Sequence, residues 1–283
     1  MPGTLYIVAT PIGNIEEITI RALEVLSEVD LIAAEDTRTT GLMLDLLGKK
    51  APKFTAYHKL NEAKKHKALI KKLQEGLNIA LVTDAGTPCI SDPGYLLVKA
   101  AVDADITVVG VSGPCAAITA LCISGLPAEP FLFVGFLPRK ESEIIEAMNR
   151  DSTSVVFYES PKRVIGTLAI LAENFPTAAI CLCNDMTKKF EMTYRGAPEE
   201  VLKQLQSNPN AEKGEYTGVF YWTDIPTQEE IKELPSLESL LVDIIVKSGD
   251  ITLKDAVGIL SESGTHAKNE VYAASLRLKE ILK

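Results

Sequence analysis

The strongest constraint on the fold lies between residues 78 and 94, where an apolar run passes directly into a stretch dense in glycine and proline. Residues 78–82 form an apolar run with β-branched members, which predicts a buried strand. The residues that follow exclude a helix and predict a tight, irregular loop, because they include Gly86, Pro88, Pro93 and Gly94.

Asp84 stands where this strand ends, and two roles are open for it. Ligands of open α/β sheets bind beyond the carboxyl ends of the strands. An aspartate there can accept hydrogen bonds from a ribose hydroxyl or an ammonium group, and Gly86 would let the backbone approach the ligand closely. The alternative role is structural, as an Asx turn or a helix N-cap, and the spacing alone favours it.

Strand-like and helix-like segments alternate along the chain up to about residue 125, which predicts an α/β fold with a mostly parallel sheet and helices on both faces. Two prolines in residues 126–130 predict a hinge, and the polar segment 224–235 predicts a linker. We therefore expect α/β domains at 1–126 and 127–224, followed by a linker and a tail of three helices at 225–283.

The composition is that of a globular protein with an ample core, since 46% of the 283 residues are hydrophobic and 24% are charged. No signal peptide and no apolar run long enough to span a bilayer is visible. The chain has five cysteines, an odd number, and all of them stand in apolar sequence contexts, as is typical of reduced thiols. We expect a cytoplasmic protein without membrane contact and without a metal site.

The net charge of -9 argues against a nucleic-acid substrate unless basic residues are concentrated locally. The helix predicted at 61–74 offers such a concentration, in Lys64, Lys65, Lys67, Lys71 and Lys72. A solvated helix face is the interpretation that the pattern favours, and a surface that follows phosphates is the alternative.

A Gly-Pro turn at residues 113 and 114 opens another predicted helix. The free N–H groups of a helix start favour a carboxylate or another anion. An ordinary helix start explains the turn equally well. The two nucleotide-binding glycine motifs, G-x-G-x-x-G and the P-loop, do not occur in the chain, which argues against NAD binding and nucleotide hydrolysis.

Several longer motifs resemble those of a known family. The loop at 83–94 is similar to the signature loop of the tetrapyrrole methylase superfamily. Four further segments narrow the resemblance to the ribosomal small subunit RNA methyltransferase I family, and they are 5–14, 34–38, 135–140 and 157–161. The resemblance implies a two-domain α/β fold of the tetrapyrrole methylase type, a class III S-adenosylmethionine (SAM) methyltransferase, with a small helix-turn-helix-like tail.

The same resemblance implies an enzyme that transfers a methyl group from SAM to the ribose 2′-oxygen of a cytidine in 16S ribosomal RNA. The small ribosomal subunit is then the partner, and a homodimer is the expected assembly. SAM is expected in the cleft between the two α/β domains. The positions that match the family's cofactor motifs are Pro11, Asp84, Ala85, Gly86, Ile90, Ala116, Ala117, Tyr158, Asn184, Glu215 and Tyr216.

For the RNA substrate, we expect contacts from Glu35, Asn61, Glu62, Arg139, Lys140 and Arg163. A ribose hydroxyl is a poor nucleophile, so some group must accept its proton, and the candidates for catalysis are Asp36, Arg38, His58 and Glu159. Each candidate also has a structural interpretation. Asp36 and Arg38 would form an ion pair at a helix that Thr37 caps, His58 would be a hydrogen-bonded loop histidine, and Glu159 would cap the helix after Pro161.

The chain departs from the family pattern at a few positions, of which residues 184 and 185 matter most. Asn184 and Asp185 stand where an Arg-Glu pair is usual, which removes either a salt bridge or a substrate contact. Two other functions stay open. A methyltransferase acting on a corrin-type tetrapyrrole is favoured by the net charge, and a SAM-binding module without catalysis is supported only by the change at 184 and 185.

Overall fold

The structure is a computed structural model and describes residues 1–222, 236–249, 251–262 and 267–281. The chain divides into two compact units, Met1–Thr223 and Asp224–Lys283. The domain boundary predicted at residues 126 and 127 falls inside the first unit and stays a prediction. The predicted linker at 225–235 lies outside the described residues.

The first sheet is parallel throughout. Its strands are β1 (Leu5–Val8), β2 (Leu31–Ala34), β3 (Lys53–Ala56), β4 (Ile79–Val82) and β5 (Val108–Val111), in the spatial order β3-β2-β4-β1-β5. Parallel neighbours require crossover connections. Helices α1 (Ile20–Glu28), α2 (Thr37–Leu46), α3 (Glu62–Gln74) and α4 (Tyr95–Asp103) supply them.

Both faces of this sheet are covered, which explains why every residue of β2 and β4 is buried. One apolar core joins the sheet to α3 and α4, through residues such as Leu69 and Leu97. The other joins it to α1 and α2, through Leu26 and Leu44. The expectation of a parallel sheet between two helical layers is confirmed for this half of the first unit.

The second sheet is mixed. It contains β6 (Phe131–Phe136), β7 (Ser154–Glu159), β8 (Ala179–Asn184), β9 (Met192–Gly196) and β10 (Tyr216–Tyr221), in the order β6-β7-β10-β8-β9. Only β6 and β7 pair in parallel. The parallel arrangement of the first sheet is therefore not repeated in the second. The connection between β8 and β9 is too short for a crossover, and it forces an antiparallel pair.

The helices on the two faces of the second sheet come from different parts of the chain. On one face lie α6 (Glu141–Met148), α7 (Val164–Asn174) and α8 (Pro198–Gln206). On the other face lies α5 (Ala116–Ile123), which follows the last strand of the first sheet. Arg195 of β9 donates hydrogen bonds to the carbonyls of Ser124 (3.3 Å) and Ile123 (2.6 Å) at the end of α5. α5, which follows the last strand of the first sheet, therefore belongs to the core of the second sheet.

The second unit contains three helices in its described part, α9 (Leu237–Ser248), α10 (Leu253–Glu262) and α11 (Lys268–Ile281). They surround a small core that includes Leu241, Ala256 and Val271. The three-helix prediction for the tail is confirmed. Within the described residues, no helix combines the length and the apolar character needed to cross a bilayer.

One local prediction is wrong. Thr37 is not the cap of α2 but its first residue, and the cap is Asp36, whose side chain accepts the N–H of Arg38 at 2.8 Å. Both residue types favour N-cap positions, and aspartate ranks at or above threonine there.

β10 packs closely against β7, and this contact allows the packing of the second sheet's core to be tested. A Cβ added to Gly218 would lie 2.2 Å from Cζ of Phe157, a buried ring on the neighbouring strand. We expect Gly218→Ala to lower the free energy of unfolding by about 1–3 kcal/mol, because the core must shift to admit the methyl group. Denaturant unfolding measures this change.

Gly166→Ala is the matched control. Gly166 lies in α7, and a Cβ there would meet no atom within 4 Å. Alanine should stabilise that helix by roughly 0.5–1 kcal/mol relative to glycine. Equal stability changes for the two variants would contradict the packing of Phe157 against β10.

Candidate active site

A cavity of about 340 Å³ lies where the carboxyl edge of the first sheet meets the second sheet. The loops after β1, β4, β7 and β8 line it, together with the first turn of α5 and parts of β6 and β10. The volume falls within the range of roughly 300–1,000 Å³ that is usual for small-molecule sites. Its place beyond the strand ends is the expected one for a ligand of an α/β sheet.

The loop after β4 is held against the loop after β1 by paired backbone hydrogen bonds. The N–H of Thr10 donates to the carbonyl of Gly86 (2.9 Å), and the N–H of Gly86 donates to the carbonyl of Thr10 (3.0 Å). Gly86 has a φ of +83°, a conformation that glycine adopts at little cost. Its own polar groups are already bonded, so the surface that it offers to a ligand in the cavity is its Cα.

The start of α5 is tied to the same loop. The hydroxyl of Thr87 donates to the carbonyl of Pro114 at 3.0 Å. Cys115, the N-cap of α5, makes no side-chain capping bond. Cys115 and Ala116 both line the cavity, so the first-turn N–H groups of α5 adjoin it and favour a negatively charged ligand group.

The opposite wall of the cavity is aromatic and apolar. The ring of Tyr158 packs edge-on against Phe133 and Phe136, with centroid distances of 5.1 and 5.5 Å. Burial raises the pKa of Tyr158 to about 12, so its hydroxyl keeps its proton at neutral pH. Phe136 and Met186 line the cavity beside it.

Glu159 has a structural environment although it borders the cavity. Its carboxylate is fully buried and accepts hydrogen bonds from the N–H of Ser160 (2.6 Å) and the hydroxyl of Thr167 (2.7 Å). Arg163 pairs with the same carboxylate at 3.3 Å and also donates to the carbonyls of Leu137 and Pro138. This geometry gives Glu159 a structural role, but not the predicted one of a helix cap, because α7 begins at Val164 without a side-chain capping bond. It also leaves Arg163 engaged within the fold.

Asp84, Asp36 and Arg38 form a bonded group at the same edge of the first sheet. The Asp84 carboxylate accepts the backbone N–H of Asp36 at 3.0 Å, which links the ends of β4 and β2. The side chain of Asp36 pairs with Arg38 at 2.6 Å. Hydrogen bonds from Arg38 hold the pKa of Asp36 well below its usual range. Arg38 keeps 88% of its side chain exposed, so its outer surface remains accessible.

Two acidic side chains near Asp84, those of Glu35 and Asp92, have raised pKa values. Burial raises the pKa of Glu35, and the Asp84 charge adds to the effect, although a hydrogen bond from the Asp84 backbone opposes it. Asp92 lines the cavity, and burial together with the charge of Glu35 raises its pKa to about 6. The rise comes from removing the carboxylate from water and placing it near like charge.

The turn between β3 and α3 is stabilised by hydrogen bonds within the turn. Asn61 accepts the N–H of His58 at 3.0 Å and donates to the carbonyl of Ala56 at 3.3 Å. Glu62 accepts the N–H of Gly94 at 3.3 Å, which ties the start of α3 to the end of the loop after β4. These residues lie outside the cavity lining, as do Arg139 and Lys140, which are exposed at the surface.

Comparison with known proteins agrees with this arrangement. Residues 4–202 match the family described as Tetrapyrrole (Corrin/Porphyrin) Methylases. The chain belongs to this family.

Curated relatives narrow the assignment. Ribosomal RNA small subunit methyltransferase I of Haemophilus influenzae is 41% identical, over 98% of this chain and 97% of that protein. The protein of the same name from Escherichia coli O157:H7 is 44% identical, over 97% and 95%. Within the tetrapyrrole methylases, the chain is therefore a member of the ribosomal RNA small subunit methyltransferase I group.

A solved structure shares the fold. Uroporphyrin-III C-methyltransferase from Thermus thermophilus, in complex with S-adenosylhomocysteine, matches with a TM-score of 0.52 at 17% identity, over 77% of this chain and 97% of that chain. This likeness confirms the two-sheet fold of the tetrapyrrole methylases.

Asn184 and Asp185, which differ from the residues usual in this family, make specific contacts within the fold. Asn184 is buried, and its amide donates to the carbonyls of Lys213 and Glu215, both at 3.3 Å. Asp185 pairs with Lys188 at 2.8 Å, and Lys188 also pairs with Glu215 at 2.7 Å. The segment that leads into β10 is thus held by an amide and a lysine, and a salt bridge is present at this position.

The cavity contains most of the predicted cofactor residues of this tetrapyrrole methylase: Ala85, Gly86, Ile90, Ala116, Tyr158, Glu215 and Tyr216. Pro11, Asp84, Ala117 and Asn184 lie outside its lining. The lining also includes residues that the sequence analysis did not assign to the site: Ile12, Thr87, Ser91, Asp92, Cys115, Phe136, Ser160, Pro161, Asp185, Met186 and Thr217. A signal existed for Asp92, since it belongs to the signature loop, but its burial and its carboxylate neighbours are visible only in the folded chain.

The raised pKa of Asp92 predicts a pH-dependent stability difference. The folded protein binds this proton more tightly than the unfolded chain, so the stability it contributes is full below about pH 4 and is lost as the pH rises through about 6. We expect Asp92→Asn to be more stable than the parent protein at pH 7.5 and similar to it near pH 4. Thermal unfolding at the two pH values measures the difference.

Asp45→Asn provides the control, because Asp45 is exposed on α2 and away from the cavity. It should show no such difference between the two pH values. A constant gap between Asp92→Asn and the parent protein across the pH range would contradict the proposed burial of Asp92.

Proposed function

We propose that the chain is a SAM-dependent methyltransferase that modifies the 2′-oxygen of a cytidine ribose in 16S ribosomal RNA of the small ribosomal subunit. The near-complete alignment with relatives named ribosomal RNA small subunit methyltransferase I carries the proposal. The cavity supports it, because the signature loop, the start of α5 and β10 meet there.

The cavity residues suit the chemical groups of SAM, which when bound supplies an electrophilic methyl group. Ile12, Ile90 and Phe136 offer apolar surface for an adenine ring. The first-turn N–H groups of α5 suit the carboxylate of the methionine part. Asp185 and Glu215 line the cavity and share a single lysine partner, Lys188, so one negative charge is left uncompensated there, which suits an ammonium group. Pro11 and Asp84 would then act by positioning their loops.

The proposed proton acceptor is Asp92. It faces the cavity, and its pKa of about 6 leaves it largely ionised at neutral pH yet more basic than an ordinary aspartate. Asp36 is held ionised by Arg38 and is a weak base. Glu159 is enclosed by hydrogen-bond donors, and His58 lies outside the cavity lining. Among the carboxylates at this edge of the first sheet, Asp92 is more basic than an ordinary aspartate and also lines the cavity.

The proposed RNA contacts near the cavity are Arg38, Arg139 and Lys140, whose side chains are exposed. Glu35, Asn61 and Glu62 shape the same edge from within. Arg163 contributes through the backbone carbonyls that it holds. We also propose that the enzyme works as a homodimer in the cytoplasm, as the family resemblance implies.

A tetrapyrrole is the alternative substrate. The acidic net charge of -9 and the fold shared with a uroporphyrin-III C-methyltransferase favour it. The two substrates differ in size and chemistry, so a direct assay separates them.

The deciding experiment uses SAM with a labelled methyl group and three acceptors: small ribosomal subunits from cells lacking the enzyme, naked 16S RNA, and a precorrin. We expect label in the ribose of one cytidine of the RNA, located by nuclease digestion and mass spectrometry. Label in the tetrapyrrole would replace the proposed function with the alternative. Tight SAM binding without label in any acceptor would support a non-catalytic module.

The role of Asp92 has its own test. Asp92→Asn should lower kcat by about 10²–10⁴-fold, the usual contribution of a general base, while affinity for S-adenosylhomocysteine changes little. In the parent protein, kcat should rise with pH up to about 6 and then level off, because the ionised form is the active base.

Asp103→Asn is the control, since Asp103 pairs with Lys99 on the exposed side of α4. It should retain the parent rate and pH profile. An Asp92→Asn enzyme with the parent's rate and pH dependence would exclude Asp92 as the base.

A further inference from the structure

A short segment of this acidic chain is strongly basic. Residues 49–72 contain nine lysines and a single acidic residue, Glu62, whereas the whole chain has a net charge of -9. The lysines, which we call the lysine strip, are Lys49, Lys50, Lys53, Lys59, Lys64, Lys65, Lys67, Lys71 and Lys72.

The fold places the strip on one side of the first sheet. Lys53 opens β3, the strand at the sheet edge. Lys64, Lys67 and Lys71 are spaced three and four residues apart, so they share one face of α3. They are exposed, whereas Leu69 and Leu73 on the opposite face are buried.

Most lysines of the strip lack the carboxylate partner that several lysines on other helices have. On other helices, Lys99, Lys203 and Lys247 each pair with a carboxylate one turn away. Within residues 49–72, all of which the structure describes, Lys71 is the lysine that pairs with a carboxylate, at 3.9 Å from Glu75. The positive charge of the strip is therefore largely uncompensated by the protein.

One lysine of the strip serves the fold. Lys65 donates to the hydroxyl of Thr55 (3.2 Å) and the carbonyl of Ala56 (2.7 Å), which fixes α3 against β3. The helix face that carries the other lysines is thus held in a defined position beside the edge strand.

The strip approaches the cavity at the start of α3. Glu62 at the start of α3 accepts a hydrogen bond from Gly94, at the end of the loop that lines the cavity. From there α3 extends for about 20 Å along the sheet, given 1.5 Å per residue. A polyanion with one unit in the cavity would therefore have its neighbouring units near Lys59 and Lys64.

We propose that the lysine strip binds the sugar-phosphate backbone of the RNA on one side of the nucleotide that enters the cavity. The proposal rests on the proposed function, and it resolves the conflict between an RNA substrate and the acidic net charge. Most of the surface repels phosphate, and the strip attracts it at long range and sets the direction in which the strand leaves the cavity.

The test removes three charges from the strip in the full-length protein, as Lys64→Gln, Lys67→Gln and Lys71→Gln together. The matched control removes three charges from other helices, as Lys99→Gln, Lys203→Gln and Lys247→Gln. Binding to small ribosomal subunits and to naked 16S RNA is measured at several salt concentrations. S-adenosylhomocysteine affinity and thermal unfolding verify that each variant is folded.

We expect the strip variant to bind the RNA substrate at least about tenfold more weakly and to reduce the salt slope of the binding constant by about 2–3. S-adenosylhomocysteine affinity should not change. The control variant should differ from the parent protein by less than about threefold in RNA affinity.

Two results would overturn the proposal. The first is equal RNA affinity and an equal salt slope for the strip variant and the control. The second is binding of the parent protein to phosphatidylserine vesicles that depends on the strip while RNA binding does not. A parent protein that binds S-adenosylhomocysteine but methylates no RNA would instead refute the proposed function, so the two failures are distinguishable.

Discussion

The cavity depends on the attachment of α5 to two parts of the fold at once. Its apolar side packs on β7, β8 and β10 of the second sheet. Pro114, the residue before its N-cap, accepts a hydrogen bond from Thr87 in the loop after β4 of the first sheet. Because one rigid helix serves both sheets, the loop with Gly86 and the aromatic wall with Tyr158 face each other across a fixed gap. A ligand between them would contact groups that are far apart along the chain.

The carboxylates at the edge of the first sheet show how environment divides similar side chains between roles. Asp36 lies at a helix start beside an arginine and is held ionised. Asp84 accepts a backbone N–H and joins two loops. Asp92 lies partly buried near Glu35 and is more basic than an ordinary aspartate. Carboxylates whose environments move their pKa values in opposite directions are typical of sites where one group holds structure and another moves a proton.

Charge is also distributed unevenly along the chain. The chain is acidic overall, and eight of the lysines and arginines outside residues 49–72 that the structure describes pair with a carboxylate, among them Lys99 and Lys203 on their own helices. An uncompensated basic strip on such a background has more directional effect than the same lysines spread over a neutral surface. Net charge is therefore a poor guide to the substrate of this protein, and the local arrangement of charge is a better one.

The sequence by itself determined the elements and the position of the signature loop. Apolar periodicity and glycine-proline clusters are local properties, so β1 to β10 and the helices of the described residues were largely predictable, as was a site beyond β4. The tertiary structure decided which side chains remain free. Glu159 and Arg163 satisfy each other and nearby backbone groups, Asp36 replaces Thr37 as a cap, and the second sheet is mixed. It also set the burial of Asp92 and the packing of α5. These outcomes depend on partners distant in the chain, and a local pattern carries no information about which partner a side chain will meet.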